Sequence, residues 1–239
     1  YRLNINKYAD YKFACSNDAA KWVFGNNKEY ILFKNGIEYE KFLYNDKIRN
    51  KIRKDLGLSS NDILIGHVGR FNKQKNHDFL IDVFKELQKI NDNSYLMLVG
   101  KGVLEDLIKE KVTRYNLTEK VFFMGVRNDV YKLMQAMDVF VFPSIYEGLG
   151  IVVVEAQAAS LPCLVSNNVP KEVVIDPNLI DFASLKDSPQ KWAEKIMKLY
   201  KSNSNRKKID ITNLKNSGYD IKTSSKKLQD FYLSKISEY

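Results

Sequence analysis

The feature that most constrains the fold is an alternation of short apolar runs and amphipathic segments, which begins at residue 63. The runs are almost continuously hydrophobic, as expected of strands buried on both faces of a parallel sheet. The predicted strands are Ile63–Val68, Tyr95–Val99, Val121–Met124, Val139–Phe142 and Cys163–Ser166, with a weaker one at Leu179–Phe182. The alternation predicts a doubly wound α/β sheet of about six strands, which binds its ligand beyond the strands' carboxyl ends.

Apolar residues at helical spacing lie between these strands. They form two stripes, the first made by Phe79, Leu80, Val83, Phe84 and Leu87 and the second by Leu104, Leu107, Ile108 and Val112. The segment Ile151–Val154 is ambiguous, because its β-branched residues favour a strand. A glycine-rich turn precedes it and an alanine-rich segment follows, so we predict a helix over residues 150–160.

The first 60 residues have a different pattern. The predictions here are strands at Phe13–Ser16 and Tyr30–Phe33 and helices at Asp18–Phe24 and Asp46–Leu56. Two such fragments are too small to form a core of their own, so this region completes another unit or links to it. At the other end, Leu228, Phe231 and Ile236 form a helical stripe.

Composition and charge narrow the class of protein. A hydrophobic content of 44% indicates a globular chain, and no apolar run approaches the ~20 residues of a membrane-spanning helix. The sequence shows no signal-peptide pattern. A net charge of +9 is compatible with a solvated surface or with an anionic partner such as nucleic acid, lipid headgroups or a phosphorylated small molecule.

The few cysteines and histidines do not suggest a metal site. Cys15 and Cys163 lie in apolar stretches and are predicted to be buried free thiols, although the sequence leaves a disulfide open. His67 lies in an apolar strand and is expected in the core, and His77 is expected to cap or pack at a helix start. The sequence contains no Asp-x-Asp motif, so we expect no metal ion.

A basic loop follows the first central strand. It runs from Gly69 through Arg70 to Lys75, where guanidinium and ammonium groups could hold a diphosphate. An ordinary solvated loop remains the alternative, and Lys73 is expected at the surface.

A glycine-rich turn follows the fourth strand and opens a helix. Glu147 lies in this turn, and Gly148 and Gly150 allow the backbone to approach a phosphate closely. Glu155 lies about a turn and a half into an apolar helix, where a carboxylate is costly unless it is bonded. The two adjacent hydroxyls of a ribose would satisfy Glu155, and an ion pair with a structural Arg or Lys is the alternative.

The motifs together resemble glycosyltransferase family four, which comprises retaining enzymes of the GT-B fold. The resemblance runs from about residue 35 to residue 168, in matching order and spacing. It is carried by Phe142–Gly150 with Glu155, by Val68-Gly69-Arg70 with Lys75, and by Leu98–Gly102, Phe123–Arg127 and Ala136–Val139. It implies a Rossmann-like GT-B C-terminal domain.

The resemblance also implies roles for these residues. Arg70 and Lys75 match the basic pair that neutralises the departing diphosphate, and Glu147 matches a residue that contacts donor sugar hydroxyls. These three residues are the predicted catalytic set, and neither glutamate is expected to attack the sugar. Glu155 matches the residue that bonds the ribose hydroxyls. The predicted donor-binding set is Gly69, Val126, Arg127, Gly148, Leu149, Gly150 and Glu155. Within this set, Val126 and Arg127 are expected to contact the nucleotide base.

The resemblance further implies a division of the chain. Residues 1–34 correspond to the end of an N-terminal acceptor domain, residues 35–60 to the interdomain linker, and residues 61–239 to the nucleotide-sugar-binding domain with its C-terminal helices. Family members are about twice as long, so we expect this chain alone to bind donor weakly and to transfer little.

The predicted function is therefore transfer of a hexose or N-acetylhexosamine from a nucleoside-diphosphate sugar, UDP being the expected carrier. The acceptor is expected to be a glycan or a lipid-linked glycan in cell-surface polysaccharide, lipopolysaccharide or glycolipid synthesis, with retention and without cofactor or metal. We expect a cytoplasmic enzyme with peripheral contact at the inner face of the plasma membrane and no nucleic-acid partner. The alternatives are a GT-B-shaped sugar-nucleotide epimerase or phosphorylase, and a basic nucleic-acid-binding module.

Overall fold

A computed structural model describes residues 2–26, 29–203, 206 and 209–236. The strands are β1 (Phe13–Ala14), β2 (Ile31–Leu32), β3 (Ile63–Val68), β4 (Ser94–Val99), β5 (Val121–Phe123), β6 (Val139–Phe142), β7 (Cys163–Ser166) and β8 (Ile180–Ala183). The α-helices are α1 (Arg2–Tyr8), α2 (Asn17–Phe24), α3 (Asp46–Asp55), α4 (His77–Ile90), α5 (Glu105–Arg114), α6 (Val130–Ala136), α7 (Ile151–Ala158), α8 (Pro189–Ser202), α9 (Ile211–Asn216) and α10 (Ile221–Ile236).

Six strands form one parallel sheet in the order β5-β4-β3-β6-β7-β8, which confirms the predicted fold. The chain enters at β3, runs outward to β5, and then returns to place β6 on the other side of β3. Strand order therefore reverses between β3 and β6, where the paired residues include Ile65 and Val139. In open α/β sheets a crevice forms at this switch point, outside the carboxyl ends of the two strands.

Apolar residues cover both faces of this sheet. One face packs against α4, α5 and α8, with Phe84 and Trp192 among the buried side chains. The other packs against α6, α7 and α9, with Val153 and Leu214 buried. The helix predicted over residues 150–160 is confirmed as α7, because an apolar helix can be buried on several sides between the sheet and its neighbours.

The first 34 residues form a separate small unit. Its strands β1 and β2 pair in parallel with each other and not with the large sheet. Helix α10 returns from the end of the chain to cover this unit, and the ring centroids of Phe13 and Phe231 lie 5.0 Å apart. The chain just after the first unit is also joined to the chain just before α10, because the Ile37 amide donates a hydrogen bond to the Tyr219 carbonyl at 2.7 Å.

Several boundary predictions need correction. Strands β1 and β2 are shorter than predicted because only two residue pairs are in register. Leu107 was expected in the apolar stripe of α5 but is exposed, because it lies beside the buried Ile108 and Val112 and not on their face of the helix. No helix in the described ranges combines the length and apolar character that crossing a membrane requires.

Candidate functional site

The basic loop between β3 and α4 is held by its own backbone and by the two neighbouring loops. The Asn72 side chain accepts a hydrogen bond from the Lys75 amide at 3.1 Å, which closes a single 3₁₀ turn. The Gly69 amide donates to the Val99 carbonyl at 2.9 Å, and the Gly100 amide donates to the Gly125 carbonyl at 2.8 Å. The loops after β3, β4 and β5 therefore pack in a row along the carboxyl edge of the sheet.

Lys75 and Glu147 form an ion pair across the switch point. The Lys75 ammonium lies 2.6 Å from a Glu147 carboxylate oxygen, and both side chains are largely buried. The same ammonium lies 4.7 Å from the ring centroid of Phe142. Since Lys75 follows β3 and Glu147 follows β6, the pair joins the two loops that border the crevice.

Gln74 strengthens this connection between the two loops. Its carbonyl accepts a hydrogen bond from the Ile145 amide at 2.8 Å, and its side-chain amide donates to the Tyr146 carbonyl at 3.0 Å. The spacing of Lys75 and Glu147 is thus set by backbone contacts as well as by their charges.

A cavity of about 350 Å³ opens at this edge of the sheet. Its lining comprises Cys15, Asn35, Val68, Gly69, Lys75, Glu147, Leu149, Gly150, Ile151 and Val152. Five of the predicted site residues therefore line one cavity. They are Gly69 and Lys75 of the basic loop and Glu147, Leu149 and Gly150 of the glycine turn. The predicted residues Arg70, Gly148 and Glu155 lie close in sequence to lining residues but do not line the cavity themselves.

The glycine turn carries unbonded backbone amides. In the described part of the chain, the N–H groups of Gly148, Leu149 and Gly150 donate to no protein atom. Gly150 adopts a φ of 90° and lies directly before α7, a backbone conformation that favours glycine. Free amides at a helix N-terminus provide a site for an anion.

Glu155 has no charged partner among the described residues. Burial raises the pKa of its carboxyl to about 7. The alternative interpretation, in which Glu155 pairs with a structural Arg or Lys, is therefore wrong for this part of the chain. Glu155 is only partly buried, and a ligand could supply hydrogen-bond donors to its carboxylate.

Arg70, Val126 and Arg127 also lie outside the cavity lining. Arg70 is exposed, and its side chain makes no ion pair with a described residue. Val126 is 75% exposed on the loop after β5. Arg127, on the same loop, pairs with Asp129 at 2.8 Å. The structure leaves Val126 and Arg127 outside the cavity lining because β5 is two strands from β3 in the sheet.

This geometry agrees with what comparison with known proteins shows. Residues 48–215 match the family described as glycosyl transferases group 1. The chain belongs to that family.

Two relatives show how far the similarity in sequence extends. EpsF of Bacillus subtilis is 34% identical over 223 residues, covering 92% of this glycosyltransferase chain and 58% of EpsF. An Escherichia coli UDP-Gal:α-D-GlcNAc-diphosphoundecaprenol α-1,3-galactosyltransferase is 36% identical over 136 residues, 56% of this chain and 35% of that protein. The chain thus spans little more than half the length of EpsF.

Solved glycosyltransferase structures share the fold. HepE of Anabaena, crystallised with UDP and glucose, superimposes with a TM-score of 0.80 at 20% identity, covering 96% of this chain and 64% of HepE. Sucrose-phosphate synthase of Thermosynechococcus elongatus gives a TM-score of 0.80 at 21% identity, covering 98% of this chain and 60% of that one. The sheet is accordingly the GT-B type of α/β domain.

The two histidines of this glycosyltransferase chain lie in the core beneath the basic loop, as predicted. His67 Nδ1 lies 2.8 Å from the Val141 carbonyl, and burial lowers the pKa of His67 to about 4. His77 stacks on Phe71 with ring centroids 4.1 Å apart, and burial lowers its pKa to about 2. Both rings are therefore neutral packing groups at physiological pH.

The cysteine prediction holds only in part. Both thiols are free, and Cys163 is buried. Cys15 is only partly buried, because it lines the cavity as well as packing against the core. Cys15, Asn35 and Gln74 were not predicted as part of the site, and their only sequence signal is proximity to a predicted strand end or to Lys75.

The described residues contain no cluster of three or more His, Cys, Asp or Glu side chains that could hold a metal ion. Positive charge at the cavity comes instead from Lys75, with Arg70 at its rim. Metal independence itself stays a prediction.

Proposed function

We propose that this chain is the donor-binding part of a family-four glycosyltransferase that uses a UDP sugar. It transfers a hexose or N-acetylhexosamine with retention and without a metal ion. The observation that carries the proposal is the meeting of the Lys75–Glu147 pair with the free amides of the glycine turn at the switch point of the sheet.

The proposed chemistry follows from the charges at this edge. When the bond between the sugar carbon and the diphosphate breaks, negative charge develops on the leaving phosphate oxygen. Arg70, Lys75 and the amides of residues 148–150 provide positive charge and hydrogen-bond donors there. One preorganised donor at a developing oxyanion contributes about 3 kcal/mol of transition-state stabilisation. A diphosphate would also draw Lys75 from Glu147 and release that carboxylate to accept bonds from sugar hydroxyls.

The nucleoside is proposed to occupy the opposite end of the crevice. Glu155 would accept hydrogen bonds from both ribose hydroxyls, which supplies the donors that its burial requires. Val126 and Arg127 would contact the base from the loop after β5. UDP is favoured because the relative from Escherichia coli uses UDP-galactose by name and HepE was crystallised with UDP.

The acceptor side is proposed to require more chain than these residues. Residues 1–34 would be the end of the acceptor domain, residues 35–60 the linker, and residues 61–239 the donor domain. A glycan on a lipid carrier is the proposed acceptor, since relatives act on diphosphoundecaprenol-linked sugars. Synthesis would then take place in the cytoplasm at the inner face of the plasma membrane.

A thermal-shift panel of nucleoside diphosphates and nucleotide sugars tests this function. We expect UDP to raise the melting temperature of the wild-type chain more than ADP or GDP does. Arg70→Ala and Glu155→Ala should lose most of that shift, because they remove a phosphate contact and the ribose contact. Arg114→Ala, an exposed arginine on α5, is the matched control and should respond like the wild type.

Two results would contradict the proposal. One is a wild-type chain that responds to no nucleotide. The other is a pair of site variants that respond as the wild type does. Salt-dependent binding of DNA or RNA without nucleotide binding would favour the nucleic-acid alternative.

A further inference from the structure

The first unit of the chain reaches the glycine turn through Ser16. Ser16 is fully buried, and its hydroxyl donates a hydrogen bond to the Gly148 carbonyl. The same hydroxyl oxygen accepts from the Ala19 amide at 3.0 Å, as the N-cap of α2. A serine hydroxyl can accept and donate at the same time. Because the helix cap uses only the oxygen as an acceptor, the hydroxyl proton remains available for the Gly148 carbonyl.

The neighbouring residues support this contact from both sides. The Cys15 thiol lies 3.7 Å from the same Gly148 carbonyl. The Asn17 backbone and side-chain amides both donate to one carboxylate oxygen of Glu172, at 2.9 and 2.7 Å. The segment is therefore anchored to the large domain by Asn17 independently of the Ser16 hydroxyl.

Peptide geometry links the Ser16 contact to the orientation of the Leu149 amide. The Gly148 carbonyl and the Leu149 amide belong to one planar peptide unit, and the described chain contains no cis peptide bond. In a trans unit the C=O and the N–H point in opposite directions. When Ser16 holds the carbonyl on the side of the first unit, the Leu149 N–H points away from Ser16. Among the residues that the structure describes, this N–H has no acceptor.

We propose that Ser16 is a positioning residue that orients the Gly148–Leu149 peptide, so that the Leu149 amide donates to the bound diphosphate. The first unit of the chain thereby sets the phosphate contacts of the donor domain. This inference rests on the proposed function, because it requires a diphosphate at the glycine turn. Ser16 itself touches no substrate.

Calorimetric titration of the 239-residue chain tests the proposal with a nucleoside diphosphate and its nucleoside. The probe is UDP with uridine, or the corresponding GDP or ADP pair if the thermal panel selects that base. Loss of one hydrogen bond should weaken diphosphate binding of Ser16→Ala about fivefold. Nucleoside binding should change by less than about twofold, because the nucleoside does not reach the turn.

Two further variants separate positioning from stability. Ser188→Ala removes the N-cap hydroxyl of α8, which accepts from the Lys191 amide and does not touch the turn, and it should leave both affinities unchanged. Ser16→Gly removes the hydroxyl with a smaller capping loss and should match Ser16→Ala in diphosphate affinity. Should Ser16→Ala fail to fold, Ser16→Gly provides the same comparison.

Three outcomes are informative. A selective loss of diphosphate affinity in the Ser16 variants supports the inference. Unchanged diphosphate affinity, or an equal loss for nucleoside and diphosphate, overturns it while the proposed function stands. A wild-type chain that binds no nucleoside diphosphate overturns the proposed function, and the inference with it.

Discussion

The two glutamates of the candidate site differ in their surroundings, and the different roles proposed for them follow from this difference. Glu147 has a cation at 2.6 Å that compensates its charge before any ligand binds. Glu155 has no such partner in the described chain, and burial raises its pKa to about 7. A side chain that is costly to ionise in the fold is better explained by ligand binding than by stability.

Glu155→Gln should remove a pH dependence of stability. The pKa of Glu155 rises from 4.5 to about 7 on folding, so the folded state binds the proton more tightly. The carboxyl therefore lowers the free energy of unfolding as pH rises from about 4.5 to 7, by up to about 3 kcal/mol. Urea unfolding should show Glu155→Gln more stable than the wild type at pH 8 and equal to it at pH 4.

The control for this comparison is Glu110→Gln, which changes an exposed glutamate on α5. Its stability should follow the wild-type curve at every pH. If the free energies of unfolding of the wild type and Glu155→Gln depend on pH in the same way, ionisation of Glu155 does not destabilise the fold and the prediction is contradicted.

At the scale of elements, the loops at the carboxyl edge contain glycines of two kinds. Gly100 has a φ of 135°, and a Cβ there would lie 2.2 Å from the Gly69 carbonyl oxygen. Gly148 has no atom within 4 Å of such a Cβ. Packing of the loops therefore requires glycine at position 100, whereas the fold leaves room for a side chain at position 148, where we propose that the phosphate approaches.

Alanine substitutions should separate these two purposes. Gly100→Ala should lower the free energy of unfolding by more than about 3 kcal/mol, because both the backbone and the contact are strained. Gly148→Ala should change it by less than about 0.5 kcal/mol, yet weaken UDP binding about tenfold by placing a methyl group beside the phosphate-binding amides. Urea unfolding and calorimetric titration measure the two quantities. Normal UDP affinity in a folded Gly148→Ala protein would contradict the proposed phosphate position.

Elements buried on both faces were predictable from the sequence. The strands of the large sheet are nearly continuous apolar runs, and observed boundaries differ from prediction by about one residue, as at β4 and β8. Helix α7 was predictable from its flanking glycines and alanines despite its β-branched residues. The strands of the first unit were predicted too long, because so few of their residues pair.

The geometry of the candidate site was predictable where it depends on local sequence, and not where it depends on contacts between distant segments. The loop from Gly69 to Lys75 and the turn after Glu147 each lie within one short segment. The contact of Ser16 with Gly148 joins residues 132 positions apart, and no periodicity reports such a contact. The motif likewise could not show that Glu155 has no charged partner in the described ranges, since that depends on every side chain around α7.

At the scale of the whole molecule, strand order determines where the chemistry is possible. The reversal between β3 and β6 brings the loops that follow these two strands to one crevice. Lys75 and Glu147, which lie in these loops, are 72 residues apart in sequence. On one side of that crevice, the cavity is lined by Cys15 of the first unit and by Asn35, which directly follows that unit. Residues of the first unit and of the large domain therefore line the same cavity.

A crystal structure of the chain with UDP tests the central claim most directly. The account predicts phosphate oxygens within about 3 Å of the Lys75 ammonium, the Arg70 guanidinium and the Leu149 amide, with both ribose hydroxyls on Glu155. A diphosphate bound elsewhere, or one in this crevice that contacts neither cation nor turn, would contradict it.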